Sequence, residues 1–273
     1  MTKNDYETVR MLVYEHSRIN LGTNKSELVV ARLTKRVRAL ALPSIEAYCE
    51  MLRAPGGEHE IMNLIDVIST NHTYFFREPA HFTYLVEKVL PKLTQDPARQ
   101  KERNLRVWSA ACSSGEEPYT LAVVLADYFA SQPQWKWEIV ATDISQPVLA
   151  RAREGEYTSQ AVRNVPQASL NRYFTSEKNG GARSYRVKDE LAKRITFKRL
   201  NLLGQSYSAK RSFDVIFCRN VMIYFDQPTQ QELVTRLASL LGPGGYFFIG
   251  HSENLTSTKH PLKLACPAVY YRP

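Results

Sequence analysis

Apolar positions in residues 1 to about 70 recur at helical spacing. In "NKSELVVARLTKRVRAL", Val30, Leu33, Val37 and Leu40 are spaced by 3, 4 and 3, which predicts a helix with one buried seam. Asn24, with Glu27 three residues on, predicts a capping box at its start. Arg32, Lys35 and Arg36 fall on the opposite face. Pro43 ends that helix and Ser44 can cap the next. "PGGE" at 55–58 breaks the chain again, ahead of a helix over Glu60 to Ser69. The segment therefore predicts a small helical bundle. Residues 71–104 read as a connecting segment and a helix from about Pro79 to Leu90.

From Leu105 onward the period alternates. "LRVWSAAC", "WEIVATDIS", Val215 to Cys218, "YFFIGHSE" and "AVYYRP" read as strands. "PYTLAVVLADYFA", "QPVLARAREG" and "QPTQQELVTRLASLL" read as helices between them, the last stopped by "GPGG". Short apolar strands between helices predict a mostly parallel sheet covered on both faces, an α/β domain over 105–273. The block from about 172 to 200 breaks this rhythm. Its short alternating runs around Gly180-Gly181 predict a small inserted antiparallel hairpin.

Composition narrows the class. The 273 residues suit one large domain or two modest ones, and 23% charged residues are ordinary for a globular protein. No apolar run is long enough to span a membrane. "MTKNDYETVRMLVYEHSR" is too polar for a signal peptide, so a cytoplasmic location is expected. Cys49, Cys112, Cys218 and Cys266 form no CxxC pair and suit neither a disulfide scaffold nor a zinc site. No metal site is expected. Cys112 and Cys218 sit at apolar strand ends and read as buried thiols. The net charge of +9 attracts anionic partners without choosing among them.

In open α/β sheets, ligands bind beyond the carboxyl ends of the strands. After the first strand comes "ACSSGEEPY", with one glycine and two glutamates where a dinucleotide fold has a glycine-rich phosphate loop. Glu116 and Glu117 would repel a pyrophosphate and favour a cationic ligand. The competing reading is that they merely stabilise a helix N-terminus, with Ser-x-x-Glu as a capping box. Asp143, after the second strand, suits two ribose hydroxyls or a helix cap. Asn201 suits a nucleobase edge, beside Leu202, or a turn. Arg219, Asn220 and Tyr224 are polar among apolar residues where the fourth strand ends, and a charged Arg there needs a partner. A ribose, a base and positive charge without phosphate describe S-adenosylmethionine.

With these residues in hand, the chain resembles the chemotaxis receptor methyltransferases, the CheR family, over nearly its whole length. The resemblance rests on "NHTYFFREPAHF", "VWSAACSSGEEPYTLA", "ATDIS", "FDVIFCRNVMIYFD" and "GHSENL". It implies a helical N-terminal domain over 1–70, a connecting segment over 71–104 and a Rossmann-like S-adenosylmethionine-dependent methyltransferase domain over 105–273, with a small antiparallel β-subdomain inserted at about 172–200. Asn71, Thr73 and Arg77 match positions lining the cofactor pocket, and Glu117 matches the acid near the methionine moiety. Asp143 matches the ribose acid, Asn201 and Leu202 the adenine-side pair, and Arg219 and Asn220 the pair after the fourth strand. Arg77 and Tyr224 match residues near the transferred methyl. "SSGEE" stands where the family has Ser-Thr-Gly-Glu-Glu, a change without chemical consequence.

The implied reaction methylates glutamate side chains on the cytoplasmic helices of chemoreceptors (methyl-accepting chemotaxis proteins), giving γ-methyl esters and S-adenosylhomocysteine. A receptor C-terminal peptide is a candidate ligand of the β-subdomain. Arg32, Lys35, Arg36 and Arg38 form a basic face that would hold the acidic methylation helix, against the ordinary reading of a solvated face. A monomer is expected, with no nucleic acid and no membrane insertion. The basic charge keeps a nucleic-acid methyltransferase as the alternative, but "CRNVMIYFD" stands where an Asn/Asp-Pro-Pro-Tyr motif would be needed. A non-catalytic cofactor sensor and a dehydrogenase are the other readings, the latter opposed by the acidic loop.

Overall fold

A computed structural model describes residues 1–179, 182–204 and 211–273, so Gly180-Gly181 at the expected hairpin tip lies outside the described residues. The chain divides into two compact units, Met1–Thr70 with Tyr224–Gln230, and Asn71–Ile223 with Gln231–Pro273.

The first unit packs α1 (Lys3–Ser17), α2 (Ser26–Ala39), α3 (Ile45–Arg53) and α4 (Glu58–Ile68) around Val9, Val13, Val29, Leu33, Tyr48 and Leu64, all fully buried. Burial of each such side chain stabilises by about 1.5–3 kcal/mol. The seam of α2 is Val29, Leu33 and Val37, while Val30 is only half-buried. The expected capping box at Asn24 does not form: Lys25 is the N-cap, and the Asn24 amide oxygen instead accepts from the Thr23 hydroxyl. A capping box forms at α1, where Thr2 and Asp5 bond reciprocally at 3.0 and 3.1 Å.

The expected basic face of α2 is divided. Arg36 donates twice to Glu60, at 2.6 and 2.7 Å. Arg32 donates to the Ile68 carbonyl and to Thr70 Oγ1. These two arginines tie α2 to α4 and its end; Lys35 and Arg38 are exposed.

The second unit opens with α5 (Pro79–Tyr84), a π-helical turn (Leu85–Val89), α6 (Leu90–Gln95) and α7 (Pro97–Glu102). The helix thus runs past Leu90, its expected end. The Leu90 N–H reaches back to the Leu85 carbonyl, five residues away, directly ahead of Pro91, which has no N–H to give.

There follow β1 (Asn104–Ala110), α8 (Glu116–Phe129), β2 (Lys136–Asp143), α9 (Gln146–Glu154), β3 (Glu156–Thr158), α10 (Gln167–Tyr173), β4 (Phe174–Asn179), β5 (Ala182–Val187), α11 (Asp189–Ala192), β6 (Ile195–Arg199), β7 (Phe213–Phe217), α12 (Gln227–Leu240), β8 (Leu241–Phe248), β9 (Lys263–Cys266) and β10 (Val269–Tyr271). The large sheet has the order β6-β2-β1-β7-β8-β10-β9. Its first five strands run parallel, and β10 is antiparallel to both neighbours. The small sheet, β3-β5-β4, is antiparallel. The expected block of about 172–200 therefore covers two structures: a hairpin joined by β3 from upstream, and the edge strand β6 of the large sheet. Phe217 stacks on Phe248 at 4.3 Å and on Phe82 at 5.9 Å, which seats α5 on the sheet. Among the described residues no helix is long and apolar enough to cross a membrane.

Candidate cofactor site

The turn after β1 is tight. Ala111, Ser113 and Gly115 all have positive φ. At Gly115 (φ 99°) a Cβ would lie 2.8 Å from Tyr157 Oη and 2.9 Å from Ala152 Cβ, so only glycine fits. The turn is held from several sides. Cys112 N donates to the Thr142 carbonyl, Ser113 Oγ to the Asn71 carbonyl and Tyr157 Oη to the Ser114 carbonyl, at 2.8–2.9 Å.

Asp143 binds this turn to its own. Its carboxylate accepts from Ser113 N at 2.8 Å and from Ser145 N at 2.9 Å. The side chain thus joins the β1 and β2 loops; the N-cap of α9 is Ser145, not Asp143, and it makes no side-chain cap bond to that helix.

Both glutamates lie in the first turn of α8, as the helix N-terminus reading expects, but the Ser-x-x-Glu capping box does not form. The N-cap of α8 is Gly115, with no side-chain cap bond. Ser114 Oγ instead donates to Glu116 Oε2 at 2.7 Å, and Ser109 Oγ to Glu117 Oε1 at 2.7 Å. Burial pushes both carboxyls above the usual range, against hydrogen bonds and, at Glu117, the Arg219 charge.

Arg219 has the partners its position demanded. Its guanidinium, 2% exposed, donates to Glu117 Oε2 at 3.2 Å, to Glu78 Oε2 at 2.9 Å and to the Arg77 carbonyl. It lies over the rings of Phe82 and Phe217 at 5.5 and 5.8 Å. Asn220 (φ 58°) donates its side chain to Glu78 Oε1 at 3.2 Å and its backbone N–H to Glu253 Oε2 at 2.9 Å. Glu253 also accepts from Met222 N and Gly250 N, at 2.8 and 2.6 Å. A Cβ on Gly250 would meet Asn220 Nδ2 at 2.4 Å.

Glu78 and Glu253 were not among the sequence candidates. Glu78 stands before Pro79 and reads as an ordinary helix-start acid; Glu253 closes "YFFIGHSE", read as a strand, whereas β8 ends at Phe248 and leaves Glu253 in the loop beyond it. Both are acids inside motifs that carry the family resemblance.

The other candidates are placed as follows. Arg77 donates to the His72 carbonyl at 3.1 Å and lies over the Tyr74 ring at 5.8 Å. Asn71 contributes its carbonyl to Ser113; Thr73 is half-buried in the same segment. Asn201 Oδ1 accepts from Leu203 N at 3.0 Å, the turn geometry, and Leu202 is buried. Tyr224 belongs to the first unit, where its carbonyl accepts from Asn20 N at 2.8 Å. Cys112 and Cys218 are buried, and burial raises both thiols well above their ordinary value.

Glu78, His81 and His251 bring three possible metal-ligand atoms within 4.8 Å of one another. Glu78 already accepts from Arg219, Asn220 and the His251 N–H, so a guanidinium supplies the positive charge there. Burial and Arg219 hold His81 down to about 3, so its imidazole is neutral.

Beyond the strand ends, Glu78 and Glu117 share the buried Arg219 guanidinium, while Glu116 and Asp143 add two more carboxyls in the turns after β1 and β2. With negative charge in excess, the arrangement disfavours phosphate and suits a ligand that carries positive charge. The comparisons agree with that chemistry. Residues 4–69 match the all-alpha domain of CheR methyltransferases, and residues 71–269 match the SAM binding domain of CheR methyltransferases. A chemotaxis protein methyltransferase of Borreliella burgdorferi is 40% identical over 271 residues, covering 99% of this chain and 94% of that one. One from Escherichia coli is 39% identical, covering 97% and 89%. One from Pseudomonas aeruginosa, chemotaxis protein methyltransferase 2, is 39% identical, covering 98% and 93%. With both domains matched in order and relatives aligned almost end to end, the chain belongs to the CheR methyltransferase family.

Proposed function

We propose that the chain methylates glutamate side chains on the cytoplasmic helices of chemoreceptors, giving γ-methyl esters. The observation that carries this reading is the acidic strand-end site, in a chain whose relatives are named chemotaxis protein methyltransferases. Bound S-adenosylmethionine supplies an electrophilic methyl group on a sulfonium. Glu117 would take its ammonium, Asp143 its ribose hydroxyls, and Asn201 with Leu202 its adenine. Asn71 and Thr73 would line the same pocket, with Arg219 and Asn220 closing it after β7.

The acceptor needs no general base. A glutamate carboxyl has an ordinary pKa of about 4.3 and is ionised at neutral pH. One carboxylate oxygen of the acceptor would take the methyl carbon as the methyl–sulfur bond breaks, its electron pair staying on sulfur to leave S-adenosylhomocysteine, and no proton moves. The protein's work is alignment and exclusion of water, which can supply several kcal/mol. Arg77 would orient the carboxylate, and its present bond to a single backbone carbonyl leaves the guanidinium with donors to offer. On α2, Lys35 and Arg38 are the exposed cations that would meet an acidic receptor helix, with the half-buried Arg32 and Arg36 tied to α4 and its end. A cytoplasmic site of action follows from that substrate.

The test is transfer of labelled methyl from S-adenosylmethionine to a chemoreceptor cytoplasmic fragment, followed by brief alkali. Label released as methanol supports a carboxyl ester. Alkali-stable label would refute it in favour of nitrogen or nucleic-acid methylation.

A further inference from the structure

Glu78 has no part in the cofactor and substrate roles above, yet it is a hub of the site. Its two oxygens accept from Arg219 at 2.9 Å, Asn220 at 3.2 Å and His251 N at 3.3 Å. Arg219 also reaches Glu117, at the longer distance of 3.2 Å. One positive charge is thus shared by two carboxylates, and the sharing is unequal. The Arg77 carbonyl accepts from the same guanidinium nitrogen that meets Glu78, fixing it on that side. Burial pushes Glu78 up, but Arg219 and Asn220 outweigh it and hold Glu78 below the usual range. At Glu117 burial wins.

We propose that Glu78 is a positioning residue that keeps the Arg219 guanidinium from pairing fully with Glu117, so that Glu117 stays available to the cofactor ammonium. The proposal rests on the reading of Glu117 given above. Without the Glu78 charge, Arg219 has one carboxylate left to satisfy it. It closes on Glu117, and the neutral pair has little attraction for a second cation. Glu78 therefore acts on the amino-acid end of the cofactor and not on its nucleoside.

That difference supplies the test. S-adenosylhomocysteine carries the amino-acid end, with its ammonium and carboxylate; 5′-methylthioadenosine has the same nucleoside and a thioether but neither charge. Binding of both is measured by calorimetry to the full chain and to Glu78→Gln, Glu78→Asp and Glu117→Gln variants. Glu78→Gln should weaken S-adenosylhomocysteine about tenfold, equivalent to about 1.4 kcal/mol, and leave methylthioadenosine within about twofold. Glu78→Asp, which keeps the charge, should recover most of the loss. Unchanged S-adenosylhomocysteine binding in Glu78→Gln, or equal weakening of both ligands, would overturn the proposal while Glu117→Gln still discriminates between them. If Glu117→Gln does not discriminate, the reading of Glu117 fails first and the proposal falls with it.

Discussion

Two arginine–carboxylate networks, one in each unit, look alike and behave differently. In the first unit Arg36 forks onto Glu60, which also accepts from Tyr48 and Asn63 at 3.0 and 2.9 Å. Burial pushes Glu60 up, but these donors prevail and its carboxyl is held below the usual range. One cation meets one anion, and every oxygen has donors. In the second unit Arg219 meets Glu78 and Glu117 together, and Glu117 ends above its usual range. A closed network of this kind holds helices together. A network with one carboxylate too many is incomplete without a cationic partner, and perturbed carboxyls of that kind mark functional sites.

The comparison is broken most severely at Arg219. Arg219→Ala strands two carboxylates in a buried site and should destabilise the second unit by about 3–5 kcal/mol, read from its denaturant midpoint. A loss below about 1 kcal/mol would mean the carboxylates are better hydrated than their burial indicates. Arg77→Ala removes a side chain outside both networks and keeps the backbone carbonyl that accepts from Arg219. It should lower turnover about 100-fold and leave cofactor affinity nearly unchanged; equal losses in both would end its orienting role. Arg36→Ala should cost the first unit about 2 kcal/mol, less than a fully buried pair would, without altering S-adenosylhomocysteine binding. A change in that affinity would blur the distinction between the two networks. Charge reversal at Lys35 and Arg38 should have the smallest effect, raising the receptor KM by about threefold at low salt and less at 0.15 M, where charges are screened beyond about 8 Å. A salt-independent result, or none, would remove α2 from receptor docking.

The two networks also differ in how far the sequence disclosed them. Arg219 is conspicuous, a charge just past the apolar run Val215 to Cys218, and the need for a partner follows from burial. Its partner Glu78 is 141 positions away and precedes a proline at a helix start, where an acid needs no special explanation. Periodicity reports which face of an element is buried, not which distant charges meet. Glu253 was missed for the same reason: its work is on backbone N–H groups, which leave no side-chain pattern. On α2 the cations were legible, but the division between Arg36, paired to Glu60, and Lys35, exposed, depends on where α4 packs. The parallel core strands and the small antiparallel sheet were legible because their periods are local. The added π turn and the entry of β3 into the small sheet were not, since each is set by tertiary packing.

The proposed role of Glu117 is to read the positive charge of the cofactor. Its most direct test is the affinity for S-adenosylhomocysteine as a function of pH, in the unaltered chain and in Glu117→Gln. In that role binding would require the ionised carboxylate, and burial raises its pKa in the free protein. Affinity should therefore be full well above that pKa. It should begin to fall, on acidification, at a pH above the ordinary glutamate value of about 4.3. Glu117→Gln should bind weakly and lose this dependence. Parallel pH curves for the two proteins would contradict the account.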